Sequence, residues 1–150
     1  MNCLFRNVTE LTLIIDYKWP IGSIEHLSTM LNLSNLRKLY LYFENEGEFA
    51  TSFDMEMDTL LKRAWSLCSI QINCNGSKTI EFFTLNSICL KLPDHIRRLD
   101  TDITDVSDAI MIFEQAEHLS YVRFYTGDTR NTADEINRWL SQMERDIACK

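Results

Sequence analysis

Residues 34–43 read SNLRKLYLYF, and this stretch decides the fold class. Leu36, Leu39 and Leu41 follow the spacing L-x-x-L-x-L. Successive residues of a strand point to opposite faces, so Leu39 and Leu41 share one face and can enter a core together. Leu36 lies three residues before Leu39 and enters the same core from the turn that leads into the strand. The stretch therefore predicts a strand with one buried face.

The same spacing occurs five times along the chain. The copies are Val8-Leu11-Leu13, Leu36-Leu39-Leu41, Leu67-Ile70-Ile72, Ile96-Leu99-Thr101 and Leu119-Val122-Phe124. Their middle residues lie 28, 31, 29 and 23 positions apart, which leaves room for a turn, a helix and another turn. A period of roughly 20–29 residues around this core is typical of leucine-rich repeats. Because one unit cannot bury its own apolar face, the copies are expected to stack.

The pattern predicts an α/β fold, a short irregular leucine-rich-repeat solenoid. About five parallel strands would lie on its concave face and helices on its convex face. The chain would form a single leucine-rich-repeat-like domain with repeats near residues 8–34, 35–65, 66–94, 95–117 and 118–150. We expect the strands to follow sequence order in the sheet. An ordinary open α/β sheet is the alternative, and it would show a reordered sheet or helices on both faces.

The segments between the strands carry helix signals. Ser23 and Asp105 are candidate N-caps, and Thr132 with Glu135 matches a capping box. The second predicted helix carries its core residues at helical spacing: Met57, Leu60, Leu61, Ala64 and Trp65. The last has its own set: Ile136, Trp139, Leu140, Met143 and Ile147. We also predict a helix over 79–92 from its place in the repeat, although its apolar residues would suit strands as well.

Charge and hydropathy exclude two classes of function. The net charge is −7 and no basic stripe occurs, so we expect no nucleic-acid binding. No apolar run reaches the roughly 18 residues of a membrane helix, and the N-terminus lacks the layout of a signal peptide. We therefore expect no membrane association and a cytoplasmic or nuclear location. The five cysteines are an odd number without a CxxC pair, which fits thiols in a reducing compartment.

Catalytic and metal-binding motifs are missing from the sequence. His26, His95 and His118 lack metal-ligand spacing, and no GxSxG, P-loop or GxGxxG occurs. Four aspartates cluster at positions 100, 102, 105 and 108, but they lack the glycine and the terminal glutamate of a calcium loop. We interpret them as a solvated strand end and a helix cap. The prediction is that the chain is not an enzyme and uses no cofactor and no metal.

The side chains that alternate with the core in each strand should line the concave face. The candidate partner-binding residues on this face are Lys38, Tyr40, Tyr42, Gln71, Asn73, Arg98, Tyr121, Arg123 and Tyr125. Tyrosine and arginine are enriched at interface hot spots, although β-propensity alone would also select tyrosine here. Arg98 and Arg123 favour an acidic ligand, whereas Asp100 and Asp102 oppose one. The sign of the ligand's charge therefore stays open.

Three segments resemble the leucine-rich-repeat tail of F-box and F-box-like proteins, especially the irregular tails of large invertebrate families. They are VTELTLII at 8–15, LSNLRKLYLYF at 33–43 and LPDHIRRLDTDI at 92–103. The resemblance implies the substrate-receptor part of an adaptor that joins a cullin–RING ubiquitin ligase through an N-terminal F-box. The first predicted strand begins at residue 8, which leaves no room for that module. We expect a C-terminal fragment, a truncated paralogue or a gene model without its first exon.

The hypothesis from the sequence is therefore a protein–protein interaction module with a protein partner. The resemblance implies that this module is the substrate-receptor part of an F-box ubiquitin-ligase adaptor. One alternative is a structural or self-associating fragment of a larger repeat protein. The other, from a different class, is a small α/β enzyme, which would need a deep pocket with clustered polar groups at the carboxyl ends of its strands.

Overall fold

Strands and helices alternate along the chain. The computed structural model describes residues 3–16, 19–44, 51–74, 82–127 and 129–148. The strands are β1 (Glu10–Ile15), β2 (Lys38–Phe43), β3 (Ser69–Cys74), β4 (Arg98–Ile103) and β5 (Tyr121–Thr126). The α-helices are α1 (Ser23–Met30), α2 (Thr51–Arg63), α3 (Phe82–Lys91), α4 (Val106–Gln115) and α5 (Thr129–Ala148), and a 3₁₀ turn covers Leu33–Asn35. Each strand is thus followed by a helix.

The five strands form one parallel sheet in the order β1-β2-β3-β4-β5. Its register places the middle residues of the five copies side by side, in the ladder Leu11, Leu39, Ile70, Leu99 and Val122. The predicted set of five parallel strands in sequence order is therefore confirmed. The ladder arises because each copy has the same spacing of apolar residues. When neighbouring strands pair with their buried faces on the same side, equivalent residues of the copies come to lie side by side.

One face of the sheet is buried under the helices. Leu13, Leu41 and Ile103 are among its strand residues in the core. The same core cluster contains helix residues such as Ile24 of α1 and Ile112 of α4. Because strand and helix residues share one cluster, the described helices pack against this face, as predicted.

The entry residues of the three inner copies behave as the repeat predicts. Leu36, Leu67 and Ile96 are almost completely buried. Thr101 occupies a core position that is apolar in the other copies, and it is fully buried. Its hydroxyl donates a hydrogen bond to the Asp102 carbonyl oxygen at 3.0 Å, which satisfies the polar group inside the core.

The start of α1 differs from the sequence prediction. Gly22, with a left-handed φ of 86°, occupies the N-cap position, and Ser23 makes no capping hydrogen bond to the helix. The prediction that Ser23 caps α1 was therefore wrong. The carboxylate of Glu56 in α2 accepts the backbone N–H groups of Gly22 and of Ile24, the latter at 2.8 Å. A neighbouring helix thus supplies the cap.

Other helix predictions had mixed outcomes. Asp105 caps α4 by accepting the Ser107 N–H at 2.8 Å, as predicted. The described part of the predicted 79–92 helix is helical over Phe82–Lys91, and 79–81 lie outside the described residues. α5 begins at Thr129, so Thr132 lies inside the helix and is not its cap, contrary to prediction. Trp65 is 70% exposed because α2 ends at Arg63 and the chain turns before β3.

The long C-terminal helix is less buried than its sequence pattern suggests. Ile136 joins the core, and Trp139 and Leu140 are half-buried. Met143 is exposed, so its predicted core position was wrong, and the Ile147 side chain lies outside the described part. α5 packs on α4 and β5 at the end of the array, with no following repeat among the described residues to cover its far side.

Candidate functional site

The open face is the sheet face opposite the helices. It consists of Glu10, Thr12, Ile14, Lys38, Tyr40, Tyr42, Ser69, Gln71, Asn73, Arg98, Asp100, Asp102, Tyr121, Arg123 and Tyr125. The register arranges these side chains in rows across the strands, one of which runs Thr12, Tyr40, Gln71, Asp100 and Arg123. The nine residues predicted to bind a partner all lie on this face. Whether they bind one stays a prediction.

The charged residues at the β1–β2 side of the open face are paired. Lys38 Nζ lies 2.9 Å from Glu10 Oε1, and both side chains are about half exposed. The hydrogen bond and the negative charge of Glu10 raise the pKa of Lys38. The Tyr40 hydroxyl approaches the other Glu10 oxygen at 3.5 Å. Because Lys38 and Glu10 neutralise each other, this side of the face presents two tyrosines with little net charge.

The centre of the open face is polar and uncharged. On β3, the Gln71 side-chain amide donates to Asn73 Oδ1 at 2.7 Å. Both residues are half-buried. β3 thus contributes side-chain amides to the open face.

Four aspartates that cluster in sequence have different environments. Asp100 is 4% exposed, and its Oδ2 accepts Arg98 Nε and Nη2, each at 3.0 Å. Asp102 accepts the Cys74 backbone N–H at 2.8 Å, and Asp105 caps α4. Asp108 is buried and accepts the Thr104 N–H at 2.7 Å; burial raises the pKa of its carboxyl. The expectation of a solvated strand end was therefore wrong for Asp100, because Arg98 folds over it.

This pairing changes the electrostatics that the sequence predicts for the open face. Arg98 compensates the charge of Asp100, and a backbone donor engages Asp102. Arg123 has no carboxylate within salt-bridge distance among the described residues. It is thus the cation of the open face whose charge no described side chain neutralises.

A patch of two arginines and two tyrosines covers the β4–β5 side of the open face. We call Arg98, Tyr121, Arg123 and Tyr125 the arginine–tyrosine patch. The guanidinium carbons of Arg98 and Arg123 lie 4.5 Å and 5.6 Å from the centre of the Tyr121 ring. Such cation–π contacts hold the two guanidinium groups against the ring. Tyr121 and Tyr125 are 41% and 39% exposed, so the patch offers aromatic area to a partner.

Hydrogen bonds fix the orientation of Arg123. Its Nε and Nη2 donate to the Tyr121 hydroxyl at 3.0 Å and 2.7 Å. Hydrogen bonds with Tyr125 and then Tyr121 raise the pKa of Arg123. A guanidinium held by two phenols loses less conformational freedom when it binds a carboxylate. Sequence reasoning placed these residues on one face but did not predict these contacts.

The described residues do not form a metal centre. No group of three or more His, Cys, Asp or Glu side chains in the described ranges is placed to hold a metal ion. His26 lies in α1, whereas His95 and His118 lie in turns before β4 and β5. His118 is half-buried, and its Nδ1 lies 3.9 Å from Asp94 Oδ1.

Comparisons with known proteins identify no relative of this chain. No protein-family model matches it, and neither does a curated protein or a solved structure. Among the described helices, none is both long and apolar enough to cross a membrane. The residues of the sheet and their contacts are therefore the basis for inferring a function.

Proposed function

We propose that this chain is a protein-binding module of the leucine-rich-repeat type, and that its open face holds a segment of a partner protein. The observation that carries the proposal is the exposed arginine–tyrosine patch on a sheet face that no described helix covers. Tyrosine and arginine combine apolar area with directed hydrogen bonding, which makes them frequent hot spots.

The spacing of the face suits a short extended segment or a helix. Tyr40 and Tyr42 lie on β2, and the patch residues Tyr121 and Tyr125 lie on β5. Three strand steps separate the two strands, or roughly 14 Å. A segment that crosses the strands would contact both groups of tyrosines and pass over the polar β3 between them. Because Lys38 and Arg98 each pair with a carboxylate of the face, Arg123 is the cation of the described open face that remains for a carboxylate of the partner.

The finer proposal follows from the resemblance to F-box proteins. In this proposal the chain is the receptor part of a ubiquitin-ligase adaptor, and its partner is a protein to be ubiquitinated. The five parallel strands in sequence order support it, since a receptor of this kind needs a continuous open sheet. The test is to sequence the transcript upstream of Met1. A helical F-box in frame would support the ligase role, and an in-frame stop codon directly upstream would oppose it.

The binding proposal is tested by pull-down from cells with the tagged chain and mass spectrometry of the bound proteins. The variant Tyr40→Ala/Tyr125→Ala removes one tyrosine from each side of the open face. The control, Lys62→Ala/Arg138→Ala, changes two exposed residues on the helices. If the tyrosines are hot spots, the open-face variant should lose about 2 kcal/mol of binding free energy, or roughly 30-fold in affinity.

The control variant should retain wild-type affinity for the partner that the pull-down identifies. Circular dichroism must show that both variants are folded. If the helix variant loses the partner while the open-face variant keeps it, the assigned face is wrong.

Self-association is the second candidate, and a specific observation favours it. Leu4, Phe5 and Ile14 lie near the β1 edge of the sheet and are all more than half exposed. Apolar residues at a sheet end are covered in repeat proteins by a capping unit or another repeat. In this reading, the chain is a structural fragment that needs a further part to cover β1. Sedimentation velocity over a range of concentrations distinguishes a monomer from an assembly.

A further inference from the structure

β5 is the last strand of the sheet, and its outer edge pairs with no strand among the described residues. The N–H of Tyr121 donates to the Arg97 carbonyl of the inner neighbour at 3.1 Å. Backbone groups of successive strand residues point to opposite sides within the sheet plane. Those of Tyr121, Arg123 and Tyr125 therefore face β4, and those of Val122 and Phe124 face outward. These outward groups can bond to an added strand.

A groove runs along this edge between β5 and α5. Its volume is about 550 Å³, and strand residues 121–126 line it together with Ala133, Ile136 and Asn137 of α5. Val122 and Phe124 are only half-buried, whereas Leu99, the ladder neighbour of Val122, is fully buried. The groove therefore has room for the side chains of a further strand on the helix side of the sheet.

On the open-face side of the same edge, β5 contributes one cation, Arg123, and no carboxylate; the carboxylates of Asp100 and Asp102 lie one strand inward, on β4. Asp100, the register neighbour of Arg123 on β4, is already held by Arg98. The two phenols orient the Arg123 guanidinium but leave its charge uncompensated. An added strand would place alternate side chains next to Arg123 and in the groove. A carboxylate suits the first position, and an apolar side chain suits the second.

We propose that β5 accepts a sixth strand from a partner protein, an extended segment in which acidic and apolar residues alternate. Its apolar side chains enter the groove beside Val122, Phe124 and Ile136, and a carboxylate binds Arg123. Main-chain hydrogen bonds supply affinity in this mode of recognition, and the alternate side chains supply specificity. The inference goes beyond the proposed function because the site is the sheet edge and not the breadth of the open face.

A second copy of the chain fits this edge less well than an acidic segment does. β5 carries no carboxylate on its open-face side, so no antiparallel pairing of two β5 strands supplies one; in the register centred on Arg123 the two arginines would lie opposite each other, which is destabilising. If β1 of another copy continued the parallel register, Thr12 would lie beside Arg123. The nearby Glu10 of that strand is already paired with Lys38. Neither arrangement supplies the carboxylate.

The test uses the full chain and a fluorescent octapeptide that alternates valine and glutamate, with binding followed by anisotropy. A peptide that alternates valine and lysine is the charge control. Val122→Pro removes an outward N–H that the sheet does not use, and proline is tolerated at such edge positions. Val122→Ala is the matched comparison: it changes the same groove-lining position but keeps the N–H, so the difference between the two variants reports the contribution of the main chain.

Val122→Pro should weaken binding of the glutamate peptide by about 10-fold or more, since it removes a main-chain donor and obstructs the edge. Val122→Ala should weaken binding of the same peptide by only about 3-fold, since it trims part of the apolar groove wall and keeps the N–H. Arg123→Glu should weaken the glutamate peptide by about 10-fold and strengthen the lysine peptide. Circular dichroism checks folding, and Arg123→Glu decides the outcome if Val122→Pro does not fold.

Three results would overturn the inference. The first is that Val122→Pro and Val122→Ala bind the glutamate peptide equally well. Where Val122→Pro does not fold, the corresponding result is that Arg123→Glu binds this peptide as well as wild type does. The second is a loss on Tyr40→Ala/Tyr42→Ala with none on Val122→Pro; the peptide would then cross the open face, as the proposed function describes. The third is self-association that Val122→Pro abolishes while no peptide binds, which would make a second copy the occupant. Edge binding without any effect of the open-face substitutions would support the inference and show that the edge binds this peptide independently of the open face.

Discussion

Replacing Glu56 by alanine should destabilise the protein far more than an ordinary change on a helix. Glu56 lies on α2 and is buried, and its carboxylate accepts two backbone N–H groups at the start of α1. In Glu56→Ala the N–H groups of Gly22 and Ile24 would lose their acceptor, and α1 has no side-chain cap of its own to replace it. A buried donor left without a partner costs about 1–3 kcal/mol.

The loss of a negative charge at the helix N-terminus adds to this cost, since the helix dipole favours an anion there by about 0.3–1 kcal/mol. Water can partly reach the two N–H groups once the Glu56 side chain is gone, which reduces the penalty. We therefore expect Glu56→Ala to lower the free energy of unfolding by about 2–4 kcal/mol. Glu56→Gln keeps one acceptor oxygen and should cost about half as much. Urea denaturation followed by circular dichroism measures both free energies of unfolding.

The matched control is Asp58→Ala, two residues further along the same helix. Asp58 pairs with Lys62 at 2.7 Å on the surface, an exposed i,i+4 ion pair worth about 0.3–0.5 kcal/mol. If Glu56→Ala costs no more than Asp58→Ala, the cap between the two helices does not stabilise the fold, and the reasoning is refuted.

Two further predictions concern the core and the thiols. Leu39 is fully buried on a strand with neighbours on both sides, so Leu39→Ala should lower the free energy of unfolding more than Leu13→Ala on the edge strand β1. Such truncations cost roughly 2–5 kcal/mol. Equal and small losses in urea titrations would contradict the stacking of the strands. Burial raises the pKa of the Cys89 thiol to about 12, so at pH 8 iodoacetamide should modify the exposed Cys68 in the native protein and modify Cys89 only after denaturation. Mass spectrometry of peptides reads both sites, and rapid native alkylation of Cys89 would show that its helix opens readily.

The spacing of apolar residues carried enough information to predict the sheet. Leu39, Ile70 and Leu99 occupy the same position in their copies, and the structure places them in one ladder. The prediction was possible because side chains alternate between the two faces of a strand. The position of a residue within its own copy therefore decides which face of the sheet it joins. The same logic placed all nine candidate binding residues on one face. The leucine-rich-repeat interpretation and the binding function stay predictions.

Tertiary structure alone decided how neighbouring copies complete one another. The cap of α1 comes from Glu56, 32 residues from Ile24 in the chain, and nothing in the local sequence of α1 indicates it. Trp65 has the spacing of a core residue but is exposed, because the helix ends before it.

The electrostatics of the open face show the same division. The sequence placed Arg98, Asp100 and Arg123 on one face, and it left the sign of the ligand's charge open because it could not indicate which charges pair. In the structure Arg98 pairs with Asp100, while Arg123 bonds to tyrosine hydroxyls. A charge is attracted over several ångströms to any opposite charge within reach, so its partner depends on side-chain positions across strands. Sequence alone determined which face of the sheet these three residues occupy. Only the packed sheet determined which of the two arginines pairs with a carboxylate.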